Sequence, residues 1–258
     1  MGELYEILKQ CLEREEPVAA ATIVGGAGRL GAKMLVTGDG RRYGGLGDKA
    51  LEDAVARDAV EMLSQAENKI HYYAVGEAAT DVYIEAFPPP PVLLIIGAGH
   101  VSIPLTKFAK ELGYKVKVID PRAAFNTRER FPLADEIIVE WPDEVLPRMP
   151  LHPAVAAAVL THDPKFDEPS LKILLNSNVG YIGAIGSRKT GEERNQRLRA
   201  QGITDEQIRR IHGPIGLNIG AVTPEEMALA IMAQIVAVRH GRDSATAVLP
   251  AKRELERA

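Results

Sequence analysis

Apolar residues in the first part of the chain follow the spacings of helices and strands in a small mixed α/β region. Leu4, Ile7, Leu8, Cys11 and Leu12 recur at intervals of three and four residues, which places them on one face of a helix. Short apolar runs bounded by glycine, proline or aspartate are typical of strands. This pattern predicts strands over residues 18–24, 33–37, 71–75 and 81–86 and a second helix over residues 48–64.

From residue 92 onward, continuous apolar runs alternate with amphipathic segments. The first run, residues 92–96, is apolar at every position, as expected of a strand buried on both faces of a sheet. Alternating strands and helices are typical of a parallel sheet that helices cover on both sides. The pattern predicts strands over residues 92–96, 115–119, 136–139, 154–160 and 181–185 and helices over residues 104–112, 168–175, 189–200, 205–211 and 224–239.

Four consecutive prolines, residues 88–91, separate the two patterns. Proline has a fixed φ and no backbone N–H, so this run favours a stiff spacer over a helix or a central strand. We therefore predict an α+β N-terminal domain over residues 1–87, a proline-rich linker over 88–91 and a nucleotide- or cofactor-binding domain over 92–240. The remaining residues, 241–258, are predicted to form a polar C-terminal tail.

Composition and charge exclude several classes of protein. The chain has 31 basic and 35 acidic residues and a formal net charge of −4, which is not the electrostatic footprint of a nucleic-acid-binding protein. Cys11 is the only cysteine, so no internal disulfide can form and a reducing compartment is favoured. No apolar run approaches the roughly 20 residues needed to span a bilayer, and no signal-peptide pattern is present. We expect a cytoplasmic protein that binds neither nucleic acid nor membranes.

A glycine-rich loop follows the first strand of the second domain and precedes a helix, which is the setting of a dinucleotide-binding loop. Gly97 permits a tight turn, Gly99 allows a pyrophosphate to approach the backbone, and Ser102 takes the third position, where a small residue is needed. The N–H groups at the start of the helix can then bind phosphate. The candidate cofactor contacts in this loop are Gly97, Gly99, His100, Val101 and Ser102.

An acidic residue ends the next strand. Asp120 lies 21 residues after Gly99, and an acid at about this distance usually accepts hydrogen bonds from ribose hydroxyls. Arg122 is positioned to accommodate an additional phosphate. A glycine-rich turn without a ligand is the alternative, but the order of strand, loop, helix, strand and acid favours a nucleotide site. The sequence therefore predicts an α/β fold with a Rossmann-like parallel sheet, preceded by the small α+β domain.

A second candidate cluster follows the strand over residues 154–160. In open parallel sheets, ligands bind beyond the carboxyl ends of the strands, where Thr161, His162 and Asp163 lie. His162 and Asp163 are candidate catalytic acid–base residues, and Thr161 and His162 are candidate cofactor contacts. The alternative is structural, with Asp163 and Pro164 forming a turn that starts a helix.

A third candidate cluster, Gly186, Ser187, Arg188 and Lys189, follows the strand over residues 181–185. Cations are unfavourable at a helix N-terminus unless an anion is bound, so these residues are candidate contacts to a phosphate. A solvated first helical turn is the alternative. The patterns H-E-x-x-H and C-x-x-C do not occur, and no metal site is predicted.

Taken in order, these motifs resemble the Rossmann domain of the XdhC/CoxI family, over about residues 92–240. The front segment is similar to the N-terminal domain of the same family at residues 31–36 and at three glycines, Gly44, Gly45 and Gly47. The motifs that carry the resemblance in the second domain are LIIGAGHV (94–101), VIDPR (118–122), ERFP (129–132), LTHD (160–163), YIGAIGSRKT (181–190) and PIGLNIGAVTPEE (214–226).

The resemblance implies an accessory protein in the maturation of a molybdenum hydroxylase such as xanthine dehydrogenase, rather than a stand-alone enzyme. It implies that the chain binds the molybdenum cofactor (molybdopterin) or a nucleotide and delivers it to the apoenzyme, whereas NAD(P) is the cofactor expected of the oxidoreductase alternative. The implied partners are the xanthine dehydrogenase-type enzyme and a cysteine desulfurase. We also expect a homodimer, for which the apolar helix over residues 224–239 is one candidate surface.

One position departs from the family pattern. Family members often carry a cysteine where this chain has Ala50, and Cys11 lies on the apolar face of a predicted helix. The resemblance therefore implies binding and delivery of the cofactor rather than direct sulfur transfer through a thiolate. Two alternatives stay open, an NAD(P)-dependent oxidoreductase with His162 as acid or base and a non-catalytic nucleotide-binding sensor.

Overall fold

The structure of the chain is a computed structural model that describes residues 2–65, 68–75, 78–161 and 163–242. The chain divides into two compact units, Met1–Pro90 and Pro91–Ala258. The candidate residue His162 and most of the predicted C-terminal tail, residues 243–258, lie outside the described residues. Within those residues, no helix is both long and apolar enough to cross a membrane.

The first unit contains a five-stranded antiparallel sheet whose strand order is β3-β2-β1-β5-β4. The turn at residues 38–40 joins β2 to β3 as a hairpin, as glycine and aspartate at these positions favour. Its elements are α1 (Gly2–Glu13), β1 (Val18–Gly26), β2 (Lys33–Thr37), β3 (Arg42–Gly44), α2 (Lys49–Gln65), β4 (Asn68–Val75) and β5 (Ala78–Phe87).

The two helices of this unit cover opposite faces of the sheet. Leu51, Val55 and Ala59 recur on one side of α2 and are buried against the sheet residues Ala21 and Ile84. On the other face, helix α1 packs through Leu4, Ile7 and Leu8 around Cys11 and the strand residues Val18 and Leu35. The N-terminal region is therefore the small α+β unit that the apolar pattern predicts.

The second unit contains a six-stranded parallel sheet whose strand order is β11-β10-β9-β6-β7-β8. If β6 to β11 are numbered 1 to 6 in chain order, the order read from the β8 edge is 3-2-1-4-5-6. This is the strand order of a Rossmann sheet. Its elements are β6 (Val92–Ile96), α3 (Ser102–Glu111), β7 (Lys115–Ile119), β8 (Glu136–Ile138), α4 (Pro142–Val145), a 3-10 helix (Leu146–Arg148), β9 (Val155–Val159), α5 (Pro164–Leu175), β10 (Tyr181–Ala184), α6 (Arg188–Ala200), α7 (Asp205–Ile208), β11 (Ile211–His212) and α8 (Pro224–Arg239).

Helices pack on both faces of this sheet, so its central strands are apolar at consecutive positions. Helices α3 and α8 form the core of one face, with Leu105, Ile231 and Ile235 buried against β6 and β7. Helices α5, α6 and α7 form the core of the other face, through residues such as Leu171 and Leu198. The Rossmann-like α/β fold is thus confirmed.

Helix α8 uses its apolar side within its own unit. Ile231 and Ile235 are buried in the core, and Val238 packs against it. The face of the helix that suggested a dimer surface is therefore largely covered by this chain. The homodimer stays a prediction.

The apolar pattern misplaces or misses the shortest elements. The helix predicted over residues 205–211 ends at Ile208, and Ile211 instead pairs with Ile182 in the edge strand β11. The helix predicted from residue 168 begins one turn earlier because Asp163 caps it and Pro164 takes its first position. Strand β3, helix α4 and the 3-10 helix have three or four residues each, which is too short for a periodic signal.

Prediction: replacing Gln234, on α8, lowers the stability of the second unit. The side-chain oxygen of Gln234 accepts hydrogen bonds from the Tyr181 hydroxyl (2.6 Å) and the Gly216 N–H (2.8 Å) in the core. Gln234→Met leaves the buried Tyr181 hydroxyl and the partly buried Gly216 N–H without this acceptor, so we expect a loss of about 2–4 kcal/mol in the free energy of unfolding. The measurement is urea unfolding followed by the fluorescence of Trp141, the only tryptophan, which reports on this unit.

The matched control is Gln201→Met. Gln201 is exposed and donates to Glu168, so its loss is expected to change stability by no more than about 0.5 kcal/mol. Equal effects of the two substitutions contradict a structural role for the buried amide.

Candidate functional site

The site lies where the sheet of the second unit changes direction. Strands β6 and β9 are neighbours, but the chain after β6 continues to β7 on one side and the chain after β9 continues to β10 on the other. In open parallel sheets this switch leaves a crevice at the carboxyl ends of the two strands, which is where ligands bind. The loop at residues 97–101 and the residues that directly follow β9, Leu160 and Thr161, therefore meet at this edge.

Gly97 makes the turn after β6 and lies against the loop after β9. It has φ +105°, which L side chains rarely adopt, and a Cβ atom there would lie 2.6 Å from Cγ2 of Thr161. Gly99 is different, because a Cβ atom at this position would have no atom within 4 Å. Gly97 thus joins the two loops, and Gly99 leaves open space beside the backbone.

The start of helix α3 follows this open space. The N-cap residue Val101 makes no side-chain capping bond, so within the described chain no side chain satisfies the first N–H groups of α3. Ser102 is fully buried, and its hydroxyl donates to the Gly97 carbonyl at 2.6 Å, which holds the loop against the helix. His100 lies exposed in the turn between them. The helix terminus is therefore available to an anion.

Asp120 lies at the end of β7 with 1% of its surface exposed. Its Oδ2 atom accepts hydrogen bonds from the Ala98 N–H (2.8 Å) and from Nη2 of Arg122 (2.7 Å). Its Oδ1 atom accepts from the N–H and from Nε of Arg122, both at 2.9 Å. The carboxylate therefore ties the glycine loop to Arg122.

These hydrogen bonds decide the charge of Asp120. Burial alone raises the pKa of a carboxyl group, but the bonds from the Arg122 side chain and the Ala98 N–H outweigh it and hold the pKa of Asp120 below its ordinary value. The bond to Asp120 in turn raises the pKa of Arg122 above its ordinary value. Both groups are ionised in the folded protein at neutral pH.

The second candidate cluster forms the opposite wall of the crevice. The Thr161 hydroxyl donates to Asp167 and accepts from the Asp163 N–H at 3.3 Å. Asp163 caps helix α5 by accepting from the Lys165 N–H at 3.0 Å. The structural interpretation of Asp163 and Pro164 as a helix start therefore holds for Asp163, while its exposed carboxylate also faces the crevice.

A cavity of about 530 Å³ occupies the crevice. The structure brings four predicted site residues together around it: Gly99, Arg122, Thr161 and Asp163. Its remaining lining residues, which the sequence analysis did not identify, are Leu160, Pro164 and Phe166.

Phe166 belongs to a stack of flat side chains beside the cavity. Its ring lies parallel to that of Trp141, with centroids 4.8 Å apart, and the Arg122 guanidinium lies 5.7 Å from its centroid. The same guanidinium lies 4.8 Å from the centroid of Phe125. The three aromatic residues come from separate loops and helices, so no local motif marks them, although Phe166 follows the predicted strand-end cluster by only three residues.

The third candidate cluster follows β10 and does not line this cavity. Gly186 has φ +131°, and Ser187 caps α6 by accepting from the Thr190 N–H at 3.1 Å. Arg188 and Lys189 are exposed, and within the described chain neither has an ion-pair partner. Because β9 and β10 are adjacent, this cluster lies at the same edge of the sheet as the cavity.

A buried arginine, which the sequence analysis did not single out, supports this loop. Arg194 is 4% exposed, and its Nη1 atom donates to the Ile185 carbonyl at 3.2 Å. Burial lowers its pKa below the ordinary value, and the charge of Asp167 opposes that effect. No group of three or more potential metal-ligating side chains lies together in the part of the chain that the structure describes.

Comparison with known protein families gives two matches along the chain. The model described as the XdhC Rossmann domain matches residues 93–235, and the model described as the XdhC and CoxI family matches residues 11–74. The first match alone covers more than half of the chain, and it includes the cavity described above.

Curated relatives include a protein of Bacillus subtilis named as a probable xanthine dehydrogenase subunit, 34% identical over 63% of this chain and 47% of that protein. The uncharacterized protein YqeB of Escherichia coli is 29% identical over 88% of this chain and 44% of its own length. The chain thus spans about half the length of these two relatives. The molybdenum cofactor insertion chaperone PaoD of Escherichia coli is 25% identical over 86% of this chain and 82% of that protein.

A solved structure shares the fold. The crystal structure of a xanthine dehydrogenase from Bacillus halodurans superposes with a TM-score of 0.53, over 94% of this chain and 97% of that one, at 23% identity. At this level of identity the likeness supports the architecture alone.

Prediction: Gly97→Ala destabilises the second unit by more than its backbone conformation accounts for. A left-handed φ costs an alanine about 1–2 kcal/mol, and the collision with Thr161 adds about 1–3 kcal/mol of overpacking. The control is Gly113→Ala, where φ is +78° and a Cβ atom meets nothing within 4 Å. Urea unfolding followed by Trp141 fluorescence measures both, and equal losses contradict the contact between the two loops.

Prediction: Asp120→Asn lowers stability at neutral pH by about 2–3 kcal/mol, because it weakens charge-assisted hydrogen bonds and places an amide donor against other donors. Since the folded-state pKa of Asp120 is lowered, the stability from its ionised form is complete above the ordinary pKa of 3.8 and is lost as the pH falls through the lower folded value. The difference between wild type and variant is therefore expected to narrow below pH 3.8. Unfolding curves at a series of pH values test this, and a pH-independent difference contradicts it.

Proposed function

This chain belongs to the XdhC and CoxI family, and we propose that it is an accessory protein in the maturation of a molybdenum hydroxylase of the xanthine dehydrogenase type. It binds the molybdenum cofactor, or a nucleotide form of it, and delivers it to the apoenzyme. The observation that carries the proposal is the cavity at the carboxyl ends of β6 and β9, where the open backbone at Gly99 and the Arg122 guanidinium meet, two residues before the uncapped start of α3.

The cavity suits the phosphate of such a ligand. Gly99 leaves space for an oxygen to approach the backbone, and the N–H groups at the start of α3 carry a partial positive charge. Arg122 also lines the cavity. Its side chain is half-exposed, and its guanidinium adds a full positive charge. Phosphate binding thus requires no change in the fold.

The cavity also suits a flat ring. Phe166 lines it, and the ring of Trp141 stacks behind Phe166. Aromatic faces bind planar heterocycles such as pterins and nucleobases by stacking. A pterin or a nucleobase that carries a phosphate can therefore stack its ring on Phe166 and bind its phosphate at Gly99 and Arg122.

The cavity offers no soft ligand for molybdenum itself. Cys11 is the only cysteine of the chain, and it is buried in the other unit. Burial raises the pKa of its thiol, which disfavours the reactive thiolate. The proposal therefore assigns this chain the holding of the cofactor through its phosphate and ring, and not a sulfur relay. Sulfuration by a cysteine desulfurase then acts on the cofactor while this chain holds it.

The names of the relatives support the same role. One relative is a molybdenum cofactor insertion chaperone, and another is named as part of a probable xanthine dehydrogenase. The match to the insertion chaperone covers a larger share of this chain and of the relative than the match to the probable xanthine dehydrogenase subunit does. A xanthine dehydrogenase-type apoenzyme is therefore the proposed partner.

Prediction: the wild-type chain speeds the activation of a purified apo-xanthine dehydrogenase by added molybdenum cofactor, and Gly99→Leu abolishes the effect. The leucine side chain enters open space, so it blocks the phosphate without disturbing the fold. We expect cofactor affinity to fall by at least about 10-fold, which corresponds to about 1.4 kcal/mol. Activity recovered with time and equilibrium binding of the cofactor are the two measurements.

Gly2→Leu is the control, because a Cβ atom at Gly2 also meets nothing within 4 Å. It is expected to leave binding and activation unchanged. Binding of NAD(P) without any binding of molybdenum cofactor contradicts the proposal and favours the oxidoreductase alternative. If Gly99→Leu activates the apoenzyme as well as the wild type does, the cofactor does not bind in this cavity.

A further inference from the structure

We infer that Asp120 positions Arg122 instead of recognising ribose hydroxyls, and that Arg122 selects ligands with a phosphate next to a flat ring over ligands with a free ribose diol. The inference rests on the proposed binding function of the cavity and specifies its ligand. It concerns one carboxylate and one guanidinium whose contacts the structure defines.

The carboxylate of Asp120 has no acceptor position left. An ionised carboxylate has two oxygens and about four lone-pair sites. Four N–H groups already occupy them, one from Ala98 and three from Arg122. With 1% of Asp120 exposed, no further direction is open from the cavity. A ribose diol can therefore bind Asp120 only by displacing charge-assisted hydrogen bonds.

Arg122 has the opposite character. Its Nε and Nη2 atoms each donate to Asp120, which fixes the plane of the guanidinium. In the part of the chain that the structure describes, the Nη1 atom has no acceptor, and the side chain, which lines the cavity, is 47% exposed. An oxyanion can thus bind Arg122 while every bond to Asp120 stays in place.

The fixed plane of Arg122 also fits a flat ligand. The guanidinium carbon lies 4.8 Å from the ring centroid of Phe125 and 5.7 Å from that of Phe166, and Phe166 stacks on Trp141. Arg122 and Phe166 both line the cavity, so a ligand with a ring and a phosphate can contact both. Asp163 also lines the cavity, and its charge acts on Arg122, so a phosphate at Arg122 has to avoid this carboxylate.

The test compares two probes of equal composition on the whole 258-residue chain. ADP and 2′,5′-ADP carry the same base and the same number of phosphates, but only ADP has a free ribose diol. We expect 2′,5′-ADP to bind the wild type at least about 10-fold more tightly by isothermal titration calorimetry, as a charge-assisted hydrogen bond to arginine provides.

Arg122→Ala is expected to abolish this preference, because it removes the guanidinium that binds the additional phosphate and leaves Asp120 free to accept hydroxyls. Asp120→Asn keeps the charge of Arg122 but weakens the hydrogen bonds that fix the orientation of its guanidinium. The ratio of the two affinities in this variant is therefore expected to lie between the ratio of the wild type and the ratio of Arg122→Ala. A purely structural role of Asp120 lowers both affinities equally and leaves the ratio unchanged.

The control is Arg148→Ala, which removes an exposed arginine that pairs with Glu140 away from the cavity and is expected to keep the wild-type ratio. Equal affinities of the wild type for the two probes, no binding of either, or a preference that survives Arg122→Ala overturns the inference. The activation assay with molybdenum cofactor tests the proposed function independently of these two probes. A failure of the proposed function is therefore distinguishable from a failure of the inference about Arg122.

Discussion

The buried carboxylate of Asp120 is the interaction on which the geometry of the site depends. It binds the Ala98 N–H of the loop after β6 and the Arg122 side chain beyond β7, so the ends of two strands are held by one charge. Gly97 lies close to Thr161, which follows β9, so the end of a third strand is held beside the other two. Because the carboxylate is buried, these bonds act in a medium of low dielectric and are stronger than they are in water. The cavity therefore has walls that are already in place before a ligand arrives.

The sheet explains why this edge of the unit is free for binding. Most connections between successive parallel strands of this sheet contain a helix, and these helices cover both of its faces. Strand β9, Val155–Val159, has three alanines and is buried along its whole length, which allows close packing from both sides. Only the carboxyl edge then remains for a ligand. The change of direction between β6 and β9 opens that edge, because the two crossovers leave it on opposite sides.

The sequence predicts the long elements and the loop of the site because both have local signals. Apolar runs identify the central strands, and the glycine spacing at Gly97 and Gly99 identifies the turn after β6. What it does not predict are relations between distant residues. The stack of Phe125, Trp141 and Phe166 comes from three separate segments. Asp120 stands where a ribose-binding acid is expected, yet its partner is Arg122, two residues on, because folding buries the acid and leaves the arginine in reach.

Among the described residues at the cavity, three polar side chains are engaged in structural hydrogen bonds, which supports the proposed holding of a ligand. Thr161 is bonded to Asp167, Asp163 caps a helix, and Asp120 is occupied by Arg122. A general acid or base must be free to exchange a proton with the substrate, and each of these groups already has a structural task. Among the described residues that line the cavity, the polar groups without such a task are the open backbone at Gly99 and the guanidinium of Arg122. Such groups can bind an anion without exchanging a proton with it, which agrees with the proposed holding of a phosphorylated cofactor.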